Sequence, residues 1–169
     1  KGIQYQDVGL KISGRVLERD GDLTLDSEVE LSTFAIPEQA NETNGLIKDR
    51  SASWSPASIA ATGFGLSAIC VGVDHGWVTR AAAAERVRRT LVTFWTGPQG
   101  TAASGVIGYQ GLFYHFLDMN TATRTWDCEL STIDTALLFA GMLDCRQYFD
   151  GADTTEVRIR ALADSITRR

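Results

Sequence analysis

Residues 129–149, ELSTIDTALLFAGMLDCRQYF, describe a helix whose start and end are both marked in the sequence. Ser131 is a favoured N-cap residue, and Gly151 follows the apolar run as a helix-terminating glycine. We therefore predict a helix that begins at Thr132 and ends near Phe149.

Three further helices are predicted on either side of this one. A Ser-Pro pair begins the first of them, and a threonine N-cap begins the second. The last begins with an aspartate followed three residues later by a glutamate, which is the capping-box pattern. Their expected bounds are Pro56 to about Asp74, ending at Gly76; Arg80–Trp95 after Thr79, stopped by Gly97-Pro98; and a helix after Asp153 with Glu156 at its third position. Four helices with short connections predict an all-α array rather than an α/β sheet.

Two regions lack the helical pattern. Residues 1–44 are polar and predicted to be irregular, with a turn signal at Asp20-Gly21. Short strands are indicated there by alternation at Val8, Leu10 and Ile12 and at Val29 and Leu31. Residues 112–118, LFYHFLD, are aromatic-rich like a strand, and residues 124–129 are expected to return as its partner in a short β-hairpin.

The composition is that of a globular chain without a strong charge bias. It has 169 residues, a formal net charge of −5 and three cysteines. That charge argues against a nucleic-acid partner, which needs a clustered positive surface. Cys70, Cys128 and Cys145 are expected to be free thiols, with Cys70 and Cys145 buried, and no Cys or His spacing indicates a metal site.

Residues 56–73 carry no charge and have the nominal length of a membrane span. Their Ala, Gly and Ser content favours a buried helix instead, in which Gly63 and Gly65 allow close helix packing. The chain begins at Lys1 without a signal-like segment, so any export signal is expected to have been removed or to lie outside the given sequence.

Carboxylates and aromatic side chains concentrate between Tyr109 and Asp134. Cleavage of a glycosidic bond uses paired carboxyl groups, and aromatic faces stack on sugar rings. Glu129 and Asp134 are therefore the catalytic candidates. Two alternatives stay open, because Asp134 lies three residues after Ser131 and can be a capping carboxylate, and Glu129 can be a surface residue stabilised by the helix dipole.

The candidate substrate-binding residues lie in the same region and in one earlier loop. Trp54 and Trp126 fall in predicted loops, which makes them better stacking candidates than a tryptophan in a helix stripe. His115 on an aromatic strand indicates either a lined pocket or a structural histidine. Tyr114 taken alone fits the core better than a binding site.

Four strings resemble the glycoamylase-like family, which is similar to the endo-β-1,2-glucanases and to the middle domain of cyclic β-1,2-glucan synthases. They are WSPASIAATGFGLSAI at 54–69, GVIGYQGLFYHFLDM at 105–119, ELSTIDTALLFAGML at 129–143 and CRQYFDG at 145–151. The resemblance implies an (α/α)6 toroid whose cleft binds β-linked glucan and whose acidic residues act without a metal or organic cofactor. Residues 45–169 then correspond to its N-terminal third, after an N-terminal segment of residues 1–44.

The resemblance also implies roles for individual residues. Glu129 and Asp134 would supply acidic groups to the cleft, and at least one further catalytic carboxylate would come from later helices. The remaining family positions are those expected to contact substrate: Tyr114, His115 and Asp118, which would line the cleft, and Arg50, from a matching Asp49-Arg50 loop.

The leading functional hypothesis is a fragment of a carbohydrate-active enzyme that hydrolyses or transglycosylates β-1,2-linked glucan. The alternatives are a non-catalytic glucan-binding or assembly module and a helical scaffold without a sugar site. We expect a β-glucan partner and a periplasmic or extracellular location. An open third of a toroid would leave apolar side chains partly uncovered and so predicts self-association through Leu137, Leu138, Phe139 and Met142.

Overall fold

The computed structural model describes residues 10–19, 22–31 and 39–169. Its helices are α1 Ile59–Asp74, α2 Arg80–Thr96, α3 Thr132–Tyr148 and α4 Thr154–Thr167. The predicted caps of the last three are confirmed, because the side chains of Thr79, Ser131 and Asp153 each accept a hydrogen bond from a backbone N–H of the first helical turn.

The first helix begins later than predicted. Ser58, rather than Ser55, is its N-cap, and the Ser58 side chain accepts a hydrogen bond from the backbone N–H of Ala61. The cause is a short strand, β3 Ala57–Ser58, which pairs with Phe116–Leu117 and keeps the chain extended up to the cap.

The N-terminal region contains two ten-residue strands, β1 Leu10–Arg19 and β2 Asp22–Leu31, paired antiparallel along their whole length. The strands indicated at Leu10 and Ile12 and at Val29 and Leu31 are therefore confirmed, and the prediction that they are short within an irregular segment is wrong for these two ranges. The physical reason is that apolar residues alternate with polar ones through most of both strands, a pattern that a paired strand requires. Val8 and the Asp20-Gly21 turn signal lie outside the described residues.

The aromatic insertion forms small strands instead of one simple hairpin. Its strands are β4 Gly108–Tyr109, β5 Leu112–Tyr114, β6 Phe116–Leu117 and β7 Leu130–Ser131, with sheet order β4-β5-β7. The predicted partner strand at 124–129 forms only at its start, where Arg124 bridges Leu117 antiparallel, because the chain bends away at Trp126 and Asp127, which both have positive φ. The fold is thus mostly helical, as predicted, with small sheets in addition to the expected hairpin.

Helices α1 and α3 cross with their backbones in direct contact. A Cβ atom on Gly63 would overlap the backbone at Leu137, and one on Gly141 would overlap the backbone of Gly63. The prediction that glycine allows close helix packing is confirmed for Gly63, whereas Gly65 lies against the Ile47 side chain, outside any helix. Polar contacts secure the same pair of helices, including a 2.6 Å hydrogen bond from the Tyr148 hydroxyl to Asp74 Oδ1.

Helices α2 and α4 are joined by an ion pair at their N-terminal ends. Arg80 donates to both carboxylate oxygens of Glu156, at 2.7 and 2.8 Å, and the Glu156 side chain is only 6% exposed. The same carboxylate accepts the backbone N–H of Gly151 at 2.7 Å. Glu156 therefore serves the Arg80 pair, and the predicted capping box at the start of α4 is formed only on the Asp153 side.

The helix faces expected to be uncovered are partly buried. Leu138 and Met142 are fully buried because they face the core cluster between the helices, and Leu137 and Phe139 are half-buried. The prediction that Leu138 and Met142 are uncovered and available for self-association is therefore wrong.

The three cysteines are free, as predicted, and all are buried. The Cys70 and Cys145 Sγ atoms lie 3.8 Å apart across the contact between α1 and α3. Within the described ranges, no helix combines the length and the apolar composition that crossing a membrane requires.

Candidate active site

His115 lies between the two predicted catalytic carboxylates. Its Nδ1 is 3.1 Å from Glu129 Oε1, and its Nε2 is 3.3 Å from Asp134 Oδ2. The backbone builds this arrangement, because the N–H of His115, just after β5, donates to the carbonyl of Glu129, just before β7. The structure thus brings together three residues that the sequence singled out for separate reasons.

Glu129 is an exposed carboxylate that favours its ionised form. Its side chain is 70% exposed. Its own backbone N–H and then His115 lower the pKa of Glu129 below its usual value. An ionised carboxylate can act as a base or nucleophile, whereas a general acid must hold its proton.

Asp134 has a buried carboxylate oxygen that the helix cap does not use. The Ser131 hydroxyl accepts the backbone N–H of Asp134 at 3.1 Å, so the cap engages the main chain of Asp134. Oδ2 is buried and accepts no hydrogen bond from the residues that the structure describes, because the contact with His115 has ion-pair distance but is not aligned for one. A buried oxygen without a donor requires an explanation beyond capping, and a role toward His115, whose Nε2 lies 3.3 Å away, would supply one.

A row of aromatic rings leads away from His115. The imidazole stacks on Phe116 with ring centroids 3.9 Å apart, and Trp126 meets Phe116 edge-on at 5.3 Å. Trp54 follows, 6.2 Å from Trp126. The two tryptophans are 65% and 56% exposed, although burial would be expected for such large side chains, so the predicted stacking residues lie at the surface together.

The two tryptophans line an open pocket of about 510 Å³. Its other walls include Lys48, Asp118 and Asn120. This volume is within the range of small-molecule sites, which is roughly 300–1,000 Å³.

Asp118 contributes to the shape of this pocket. Its Oδ1 accepts the backbone N–H groups of Asn120 and Thr121 and the Thr121 hydroxyl. These bonds, led by the one from the Thr121 backbone, hold the pKa of Asp118 below its usual value. Asp118 therefore orders the loop that it lines.

Two predicted binding residues, Tyr114 and Arg50, are not among the residues that line the pocket. Tyr114 is buried, and its hydroxyl donates to the Gly100 carbonyl at 2.9 Å, so it supports the site from within the core. Arg50 lies at the far end of the aromatic row, 5.8 Å from the centre of the Trp54 ring, and forms an ion pair with Asp49.

Sequence reasoning missed Arg124, which holds the loop that carries Trp126. Arg124 contacts Ala102, Tyr114 and Cys128, which lie in three different segments. No local pattern could have revealed it. In the part of the chain that the structure describes, His, Cys, Asp and Glu residues form no group of three or more able to hold a metal ion.

Comparison with known proteins gives one curated relative and several solved structures. No family model matches the chain. The exo β-1,2-glucooligosaccharide sophorohydrolase (non-reducing end) of Parabacteroides distasonis is 28% identical over 111 residues, which cover 63% of this chain and 14% of the relative.

Two of the solved structures are similar in both fold and sequence. The β-1,2-glucanase from Parabacteroides distasonis has 25% identity and a TM-score of 0.66, and the match covers 76% of this chain and 18% of that protein. A glucoamylase-like protein from Bacteroides uniformis has 28% identity and a TM-score of 0.65, with 75% and 30% covered. The resemblance to the glycoamylase-like family is confirmed by these matches, and the chain spans less than a third of each of these three proteins.

Proposed function

We propose that this chain is part of a glycoside hydrolase that acts on β-1,2-linked glucan. The observation that carries the proposal is the contact of one histidine with two carboxylates, Glu129 and Asp134, beside exposed tryptophans. The curated relative and one solved structure are hydrolases of β-1,2-linked glucose chains, which supports this substrate class.

In this proposal Glu129 is the group that works in its ionised form. Glycosidic bond cleavage needs one carboxyl group that donates a proton and a second that activates water or attacks the sugar. The lowered pKa of Glu129 fits the second role. Asp134, or a carboxylate from a part of the relatives that this chain does not span, would donate the proton.

His115 would fix the geometry of this pair. Because its two ring nitrogens contact different carboxylates, rotation of the imidazole would disturb both at once. Hydrolysis and transglycosylation share these first steps, and the difference depends on whether water or a sugar hydroxyl accepts the glycosyl group. We propose hydrolysis, as in the names of the relatives.

The test is the turnover of β-1,2-glucan by the longest natural form of the protein that carries these residues. Glu129→Gln keeps the shape and removes the charge, and we expect turnover to fall by about 100-fold or more. Glu85→Gln, on the outer part of α2, is the matched control and should keep the wild-type rate. An undiminished rate in Glu129→Gln at wild-type thermal stability would exclude Glu129 from the reaction.

A glucan-binding module without catalysis is the second candidate. It is favoured by the position of the pocket, whose walls include Trp54 and Trp126 but neither Glu129 nor Asp134. Calorimetric titration with β-1,2-linked oligosaccharides, run beside the turnover assay, separates the two. Binding without turnover in the longest natural form would favour the module.

We propose a periplasmic or extracellular location for the protein. The reason is the substrate class, since a polymeric glucan is most accessible to an enzyme outside the cytoplasm. Cell fractionation with an antibody against this chain tests the location, and recovery in the cytoplasmic fraction alone would contradict it.

A further inference from the structure

The loop that carries Trp126 is held in an unfavourable backbone conformation. Trp126 and Asp127 are consecutive residues with φ of +59° and +52°. For residues with a Cβ atom this left-handed region is disfavoured, and two such residues in succession persist only where the surroundings enforce them. Neither residue is a glycine, so a contact elsewhere must stabilise the turn.

Arg124 supplies that contact. Its Nε donates to the Cys128 carbonyl at 2.7 Å, and its Nη2 forms an ion pair with Asp127 Oδ1 at 3.0 Å. The guanidinium therefore joins the residue inside the turn to the residue that follows it. The Arg124 side chain is only 13% exposed, while that of Asp127 is 82% exposed.

Arg124 is itself fixed in place by other parts of the chain. Its guanidinium lies over the Tyr114 ring, 4.4 Å from the ring centre, and its Nη1 donates to the Ala102 carbonyl at 3.3 Å. The Tyr114 hydroxyl donates in turn to Gly100. The turn is thus attached through one arginine to the rigid core.

The consequence of this turn is the position of the Trp126 ring. The ring lies edge-on to Phe116 and 6.2 Å from Trp54 at an angle of 43°. That separation is too small for a sugar ring to fit between the two indoles. They form one angled wall of the pocket, against which the flat C–H face of a sugar can stack.

The charges around the pocket indicate a neutral ligand. Among its lining residues Lys48 and Asp118 are the charged ones, and their formal charges cancel. Asn120 and Ser53 add uncharged polar groups. An aromatic wall facing a few polar groups of balanced charge suits a neutral polyhydroxyl ring better than a phosphate or an organic acid.

We propose that Arg124 is a positioning residue that holds the left-handed Trp126–Asp127 turn and so presents a two-tryptophan wall to one neutral pyranose ring of the substrate. The identity of the sugar rests on the proposed function. The role of Arg124 rests on the geometry of the turn. This wall adjoins the carboxylates through Phe116 and contributes affinity for a sugar next to the bond that is cleaved.

The experiment titrates the longest natural form of the protein that carries these residues with β-1,2-linked glucose disaccharide and trisaccharide, and binding is followed by calorimetry and by tryptophan fluorescence. Trp126→Ala and Arg124→Lys should each weaken binding by about three- to tenfold, because lysine has no planar fork to join Cys128 and Asp127. Arg158→Lys, at an exposed arginine of α4, is the matched control and should bind like the wild type.

A double mutant separates positioning from general destabilisation. If Arg124 acts through Trp126, Arg124→Lys adds no further loss of affinity in the Trp126→Ala background. Losses that add, or an Arg124→Lys variant with wild-type affinity, would overturn the proposal. Should Arg124→Lys fail to fold, Asp127→Asn removes only the exposed ion pair, and the same comparison with Trp126→Ala applies.

Failure of this inference is distinguishable from failure of the proposed function. Suppose that a β-1,4-linked trisaccharide binds, that both variants weaken its binding equally, and that the β-1,2-linked trisaccharide does not bind. That result would support the tryptophan wall and contradict the proposed substrate. If no glucose oligosaccharide binds, the wall is overturned, and the turnover assay of Glu129→Gln still decides the function.

Discussion

The crossing of α1 and α3 and the loop region between α2 and α3 are built in opposite ways. At the crossing, Gly63 and Gly141 allow backbone contact, and the neighbouring polar side chains are paired. In the loop region, Trp126 and Asp127 have left-handed backbones although neither is glycine. In the first turn of α3, which adjoins this loop, Asp134 Oδ2 is buried and accepts no hydrogen bond from the described residues.

This difference separates residues that stabilise the fold from residues held for another purpose. Strained backbone and unsatisfied polar groups lower stability, so they persist where function requires them. Substitutions at the helix contacts should therefore reduce stability strongly, whereas substitutions in the loop region should change function with little loss of stability.

The largest effect is expected for Gly141→Ala. The added Cβ would overlap the Gly63 carbonyl, and because that atom is backbone, the helices must move apart. We expect a loss of about 3 kcal/mol or more in the free energy of unfolding, measured by urea denaturation. Ala136→Ser, on the exposed face of the same helix, should stay within about 0.5 kcal/mol. A similarly small loss for Gly141→Ala would contradict the claim that the contact between α1 and α3 stabilises the fold.

The next largest effect is expected for Arg80→Ala. It would leave the buried Glu156 carboxylate without its cation, at a cost of about 2 kcal/mol. The matched control is Arg88→Ala, which removes a more exposed ion pair with Glu85 and should cost less than about 1 kcal/mol. Equal losses in the two variants would show that the Arg80 pair is an ordinary surface contact.

The same ion pair makes stability depend on pH. Arg80 lowers the pKa of Glu156, so the pair stabilises the fold above the usual glutamate pKa, and this contribution is lost as the pH falls through the lowered value. Glu156→Gln should be less stable than the wild type by about 1 kcal/mol near pH 6, and the difference should shrink toward about pH 3. Thermal unfolding of both proteins across that range measures it, and a constant difference would contradict the assignment.

The smallest stability effect is expected beside the loop region, for Asp134→Asn in the first turn of α3. Because Asp134 Oδ2 accepts no hydrogen bond, its replacement should change the unfolding free energy by less than about 0.5 kcal/mol. Glu156→Gln is the internal comparison, as another buried carboxylate changed to its amide. If Asp134→Asn costs as much as Glu156→Gln, Asp134 stabilises the fold and is not held for catalysis.

The features of the fold that could be predicted are those encoded locally. Thr79, Ser131 and Asp153 cap helices through hydrogen bonds within one turn, so their positions are legible in the sequence. The predicted start of α1 was wrong because the pairing of Ala57–Ser58 with a distant strand determines where the helix begins. The bend at Trp126 was missed because no glycine marks its positive φ.

For the site, the sequence predicted the residue types but not their arrangement. Glu129, Asp134 and His115 were all named, yet their contact depends on the pairing of β5 with β7, which joins segments separated by a long loop. Tyr114 was expected to line the cleft. It is buried because its hydroxyl donates to the Gly100 carbonyl and the Arg124 guanidinium covers its ring.

The central claim is that sugar binds where His115 meets Glu129 and Asp134, and the chain offers a direct measurement. It has two histidines, and the second, His75, caps the C-terminal end of α1 and stacks on Trp77. Imidazole ¹⁵N NMR spectra recorded during titration with a β-1,2-linked glucose trisaccharide report on both. The account predicts that the His115 resonances shift with saturation while those of His75 stay in place. Unmoved His115 resonances at a trisaccharide concentration that saturates binding would contradict it.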